Sequence, residues 1–173
     1  MSTRTTDADA ESIDARPGTA SVAVAVAAAL VTVLVSATTP LAGAVGLCGL
    51  VVVPIGVRRG SRLLHRIGSA GLFGAVLLAG VAGRSAVPML VAAGAAVVAW
   101  DAGEHGIGLG RQLGHAAVST RAQLAHVGVT VAVASVVAVV GYVVYDAAST
   151  GQPTTAIALL LGAALLFTYA LDR

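Results

Sequence analysis

Lysine is absent from this 173-residue chain, charge of either sign is scarce, and there is a single cysteine. Only 10% of residues are charged, against about 25% in an average globular chain. Side chains so few cannot cover the exterior of a water-soluble domain, which would be mostly hydrocarbon. That scarcity excludes a soluble enzyme. With no lysine, all ten basic residues are arginine, and the net charge is only +2. A pI near 9.2 resting on so few groups is no sign of a nucleic-acid surface. Cys48 has no second cysteine to pair with, and inside an apolar run it reads as a small packing residue.

What remains is small and apolar. The hydrophobic set makes up 57% of the chain, and the 21 glycines bring small and apolar residues together to about 69%. The bilayer is the solvent suited to such a composition.

Positions 1–19 form a polar segment in which Asp7, Asp9, Glu11 and Asp14 oppose Arg4 and Arg16. A secretory signal needs a positive region ahead of its apolar stretch, so nothing here is expected to be cleaved. The segment is expected to be a disordered cytoplasmic tail, lacking the apolar residues that repay ordering. A single transmembrane helical domain, 20–173, follows.

Six apolar stretches, 20–36, 41–57, 67–83, 86–100, 127–145 and 155–171, contain no charged side chain. Seventeen residues rise about 26 Å as a helix, close to the hydrocarbon thickness. Valine favours strands, yet a transmembrane barrel needs alternating segments with a polar inward face, and 131–140 shows no alternation. The expected fold is all-α, a polytopic bundle of about six spans. The shortest stretch, 86–100, also suits the returning arm of a re-entrant hairpin. Thr120 and Gln123 fit a capping box that starts the fifth helix about two turns before the membrane, with Arg121, Gln123 and His126 on its wet stem.

Arginine placement predicts the orientation. Arg58, Arg59, Arg62 and Arg66 crowd the connection 58–66, and Arg111 and Arg121 lie in the connection 101–126. With both connections and both termini cytoplasmic, only Arg84 faces outward, and a cell-membrane location follows. Trp100, Tyr142, Tyr145 and Tyr169 fall at span ends, where amphipathic rings collect. The Arg58–Arg66 cluster fixes topology; a second role is contact with anionic lipid headgroups, worth about 1 kcal/mol per arginine.

Functional texture is confined to 100–126, which holds Trp100, Asp101, Glu104, His105, Arg111, Gln112, His115 and Arg121. Metal ligation by Asp101, Glu104, His105 and His115 is disfavoured, because the two histidines are ten apart with helix-weakening glycines between them. The Gly108, Gly110, Gly114 pattern lacks the strand and acidic residue of a dinucleotide site. No cofactor is expected. Asp101 is expected to pair with Arg111 or Arg121, or to cap the next segment. Gly106, Gly110 and Gly114 recur four apart, as do Ala75, Ala79, Gly83 and Ala95, Ala99, Gly103. Such faces serve tight internal packing or self-association. Thr32, Cys48, Ser69, Thr130, Ser135 and Thr168 are each expected to bond a carbonyl one turn back. Catalysis by Ser69 is discounted for want of a histidine within another span.

In the segment Trp100-Asp101-Ala102-Gly103-Glu104, with Gly110-Arg111-Gln112-Leu113-Gly114 and Thr120-Arg121, the chain resembles a group of small uncharacterised multi-span membrane proteins of halophilic archaea. The resemblance implies a domain of unknown function whose genes are associated with those for a MoxR-type AAA+ ATPase and a von Willebrand factor A-like protein, and it assigns no residue a catalytic role. Sequence and resemblance together point to a non-enzymatic accessory or anchoring subunit that contacts a cytoplasmic partner through 100–126. The alternative is a small transporter or channel that self-associates through its glycine and alanine faces.

Overall fold

The computed structural model describes residues 18–113 and 120–148. They form five helices: α1 (Thr19–Ser36), α2 (Pro40–Arg58), α3 (Arg62–Val81), α4 (Ala86–Leu113) and α5 (Thr120–Ala148). All five are long and apolar enough to cross a membrane, as in a multi-pass membrane protein. The expected tail, 1–17, and the expected sixth span, 155–171, lie outside the described residues.

The turns explain where the helices stop. Thr39 caps α2, its hydroxyl accepting from the Ala42 amide at 3.1 Å, and Pro40 follows at the first helical position. Ser61 caps α3 by accepting from the Leu64 amide. Glycines with positive φ, Gly60 at 62° and Gly83 at 83°, close α2 and α3. In each turn the following amide reaches back five residues, Ser61 to the Gly56 carbonyl and Arg84 to that of Ala79. That is the left-handed glycine closure of a helix end. Thr39→Ala is expected to cost about 1 kcal/mol, read as a lowered unfolding midpoint in detergent.

Two expected connections shrink. The connection 58–66 is in fact the turn 59–61, because α3 begins at Arg62 and carries Arg62, His65 and Arg66 on its first turns. The connection 101–126 is mostly helix: α4 runs 28 residues without interruption, and α5 starts at Thr120 as expected. Spans delimited by apolarity stop at the first charge, whereas backbone hydrogen bonds continue through it. A continuous α4, about 42 Å long, also replaces the short returning arm considered for 86–100.

α2 packs most intimately with α3, and α1 with α4, while α5 lies along α4. The core is built mostly from small side chains, including Ala25, Ala29, Val53, Val57, Ala96 and Ala99, with Leu72 and Ile107 as its largest members. Backbones approach closely where glycine permits. A Cβ on Gly56 would stand 2.4 Å from the His65 amide nitrogen, and one on Gly68 would stand 2.7 Å from that of Val53. Ala75, Ala79, Ala99, Gly103, Gly106 and Gly110 are buried, so much of the three small-residue faces goes to internal packing. Gly83 instead closes a turn, and Gly114 lies outside the described residues. Cys48, expected to pack inside, is exposed on the flank of α2.

Candidate functional site

The polar side chains of the bundle gather at the end where the α2–α3 turn meets the far half of α4. Beyond Trp100, α4 turns a small-residue face inward, and Ala102, Gly103, Gly106, Ile107 and Gly110 are buried. Its charged residues are thereby brought against α3 on one side and α5 on the other.

Toward α3, Glu104 lies between two arginines one helical turn apart. Arg66 Nε is 3.2 Å from Oε1 and Arg62 Nε is 3.4 Å from Oε2. Further along, Arg111 donates to the Gly60 carbonyl at 2.7 Å. Toward α5, Asp101 Oδ2 accepts from His126 Nε2 at 2.9 Å and from the Thr130 hydroxyl at 2.7 Å. His105, one turn along α4 from Asp101, stacks on His126 with ring centroids 3.8 Å apart and planes 10° from parallel. The expected partners of Asp101, Arg111 or Arg121, are thus replaced by residues of α5. A continuing α4 aims the carboxylate sideways across the helix pair instead of into a loop.

Between these two nodes sits His65, fully buried. Its Nε2 is 2.9 Å from the Trp100 carbonyl. A carbonyl can only accept, so Nε2 carries the hydrogen and Nδ1 presents a lone pair. Among the described residues Nδ1 has no hydrogen-bond partner, and neither has the buried Ser69 hydroxyl one turn away. Ser69 therefore departs from the back-bonding expected of it. Thr32, Thr130 and Ser135 conform, bonding the carbonyls of Ala28, His126 and Val131. Thr32 also reaches the Ala92 carbonyl on α4 at 3.3 Å. The His65 ring fits against α4 only because residue 103 is glycine: a Cβ there would overlap Cε1 at 2.2 Å.

Gln123 was expected on a solvated stem. It is instead 2% exposed and lies against Gly18 at the start of α1. With Thr120 already helical, Gln123 is one position too far along to complete a capping box.

The arrangement joins what the sequence kept apart. Glu104 meets Arg62 and Arg66, Asp101 and His105 meet the α5 histidine, and Arg111 reaches the Gly60 carbonyl, all at one end of the bundle. Trp100, Gln112, Arg121, Arg58 and Arg59 are exposed around it, and His115 lies outside the described residues. Among the described residues no group of three or more His, Cys, Asp or Glu side chains is placed to hold a metal ion. A serine-type relay places imidazole between hydroxyl and carboxylate. Here the carboxylate stands between Thr130 and His126, which leaves the hydroxyl donating and not activated.

A family model described as a family of unknown function, DUF7519, matches residues 15–168. The chain belongs to that family. No curated protein and no solved structure matches it. The DUF7519 match takes in all five helices and therefore the whole polar layer.

His65 escaped the sequence reading, and Gln123 and Thr130 were given roles other than joining helices, although a signal existed for each. Extending the buried stripe of α3 (Ala79, Ala75, Leu72, Ser69) back one turn lands on His65. Gln123, His126 and Thr130 recur at three and four, marking the α5 face that meets the rest of the bundle.

Proposed function

We propose that this chain is a non-enzymatic, multi-pass protein of the cell membrane that anchors a partner at its arginine-rich end, with both termini cytoplasmic. One observation carries the reading: the carboxylates and histidines of the polar layer are engaged in joining helices, while Arg58, Arg59 and Arg121 stand exposed around it. Guanidinium groups left in solvent beside a rigid layer favour an acidic protein surface as partner. The arginine asymmetry supports the cytoplasmic side for that end. The family resemblance supplies a first candidate, a MoxR-type ATPase with its von Willebrand factor A-like companion. The lack of lysine and the alanine, valine and glycine bias suit a halophilic host.

A transporter or channel formed by self-association needs polar groups along a crossing path. In the apolar groove between α1, α4 and α5, Ser135 and Tyr142 are the polar members among otherwise alanine, valine, leucine and glycine.

The test is affinity capture from native membranes with a tagged chain, beside a variant carrying Arg58→Glu, Arg59→Glu and Arg121→Glu. A partner retained by the unaltered chain and lost from the variant is the expected result. Capture of the chain alone from native membranes would remove the anchoring role.

A further inference from the structure

α5 is the least covered helix of the bundle. Of its positions 120–147 only Gln123 is buried, and Val129, Val133, Val136, Val137, Val140 and Val144 are all exposed. α1 and α5 touch where Gln123 meets Gly18. Toward the other end they part around an apolar groove of about 640 Å³. Ala28 and Val31 of α1 form one wall, Val131 to Tyr142 of α5 the other, and α4 the floor at Gly94 and Ala95. The space between α1 and α5 is a wedge, closed at the Gly18–Gln123 contact and lined as far as Tyr142 toward the end of α5.

We propose that this wedge is the seat of the chain's own segment 155–171, entering as a sixth helix antiparallel to α5. The inference does not depend on the identity of any partner. Three features of the chain select this occupant. First, six residues separate the end of α5 from position 155, and they reach at most about 20 Å. The segment therefore starts on the Tyr142 side of the wedge. Second, its length suits the site: seventeen helical residues rise about 26 Å, enough to run the whole groove, whose α5 wall from Val131 to Tyr142 rises about 17 Å. Third, the surfaces are complementary. The groove is cut by small residues, Ala28, Gly94, Ala95, Ala134, Ser135 and Ala138, and the segment carries the bulk, with Leu159, Leu160, Leu161, Leu165, Leu166 and Phe167. Between helices in lipid, such packing of ridges into small-residue grooves is a principal source of attraction.

Disulfide scanning of the full chain in membranes tests it. In a Cys48→Ala background, Val91→Cys on the groove floor is combined in turn with cysteine at each of positions 159–166, and the membranes are oxidised. Cross-links form only between closely approached Cβ atoms. The expected result is an intrachain disulfide at positions three or four apart, with the intervening ones unreactive. A ladder of dimers without intrachain product would give the wedge to a second copy and overturn the proposal. Absence of any disulfide at all eight positions would leave it to lipid and overturn it equally.

Discussion

Gly56→Ala is expected to be the most damaging single substitution in the bundle, lowering stability by about 3 kcal/mol, the upper end of ordinary overpacking. The added Cβ would meet the His65 amide nitrogen at 2.4 Å and its Cα at 2.7 Å. Those atoms belong to backbone, so no rotamer change relieves the clash and α3 must move off α2. Alanine is otherwise the better helix former by about 1 kcal/mol, which would act in the opposite direction. Gly128→Ala isolates that second effect, since nothing lies within 4 Å of a Cβ there. Denaturant titration of the purified protein in detergent should show Gly128→Ala at or above the unaltered midpoint and Gly56→Ala far below it. Equal midpoints would mean that α2 and α3 do not cross at these glycines.

Gly103 offers a contrast of mechanism. Its neighbour is a side chain, the His65 ring, so the clash in Gly103→Ala can be removed by deleting the ring. The double variant with His65→Ala is expected to be less impaired than the sum of the two single losses, by about 1 kcal/mol or more. No second substitution of a side chain should rescue Gly56→Ala in this way.

The sequence revealed the class of fold more readily than its joints. Uncharged apolar runs marked the core of each described helix, because hydrocarbon tolerates no bare charge and no unpaired backbone. The same criterion hid the helix ends. Arg62, His65 and Arg66 read as loop because they are polar, yet Ser61 and Gly60 place the turn before them. On α4 the glycines at 106 and 110 read as helix weakeners. They are tolerated because close packing of that face returns what intrinsic propensity loses. The residues of the polar layer were nearly all visible as candidates. Their pairing was not, since whether Asp101 faces an arginine or His126 depends on how far α4 continues and where α5 lies beside it.

Asp101→Ala is expected to release α5 from the bundle while the other four helices stay assembled. Apolar contact alone holds helices weakly in a bilayer, because lipid tails are as apolar as valine or leucine. α5 exposes most of its valines, so its attachment leans on Asp101, which accepts from both His126 and Thr130. Each such bond is worth about 1 kcal/mol, and losing both shifts the release equilibrium roughly 30-fold. Asp101→Asn keeps a carbonyl oxygen for Thr130 and should fall between the two. Ser135→Ala is the control, because that hydroxyl bonds only the Val131 carbonyl of its own helix. The reporter is a cysteine at Ala134, which faces Gly94 across the α4–α5 seam, in a chain with Cys48 replaced by alanine. Its alkylation should accelerate with Asp101→Ala, less with Asp101→Asn and not with Ser135→Ala. A reference cysteine at the buried Ala75 should stay protected throughout. Unchanged alkylation at position 134 in the Asp101→Ala protein would place the attachment of α5 in its apolar contacts, against the expectation for helices surrounded by lipid.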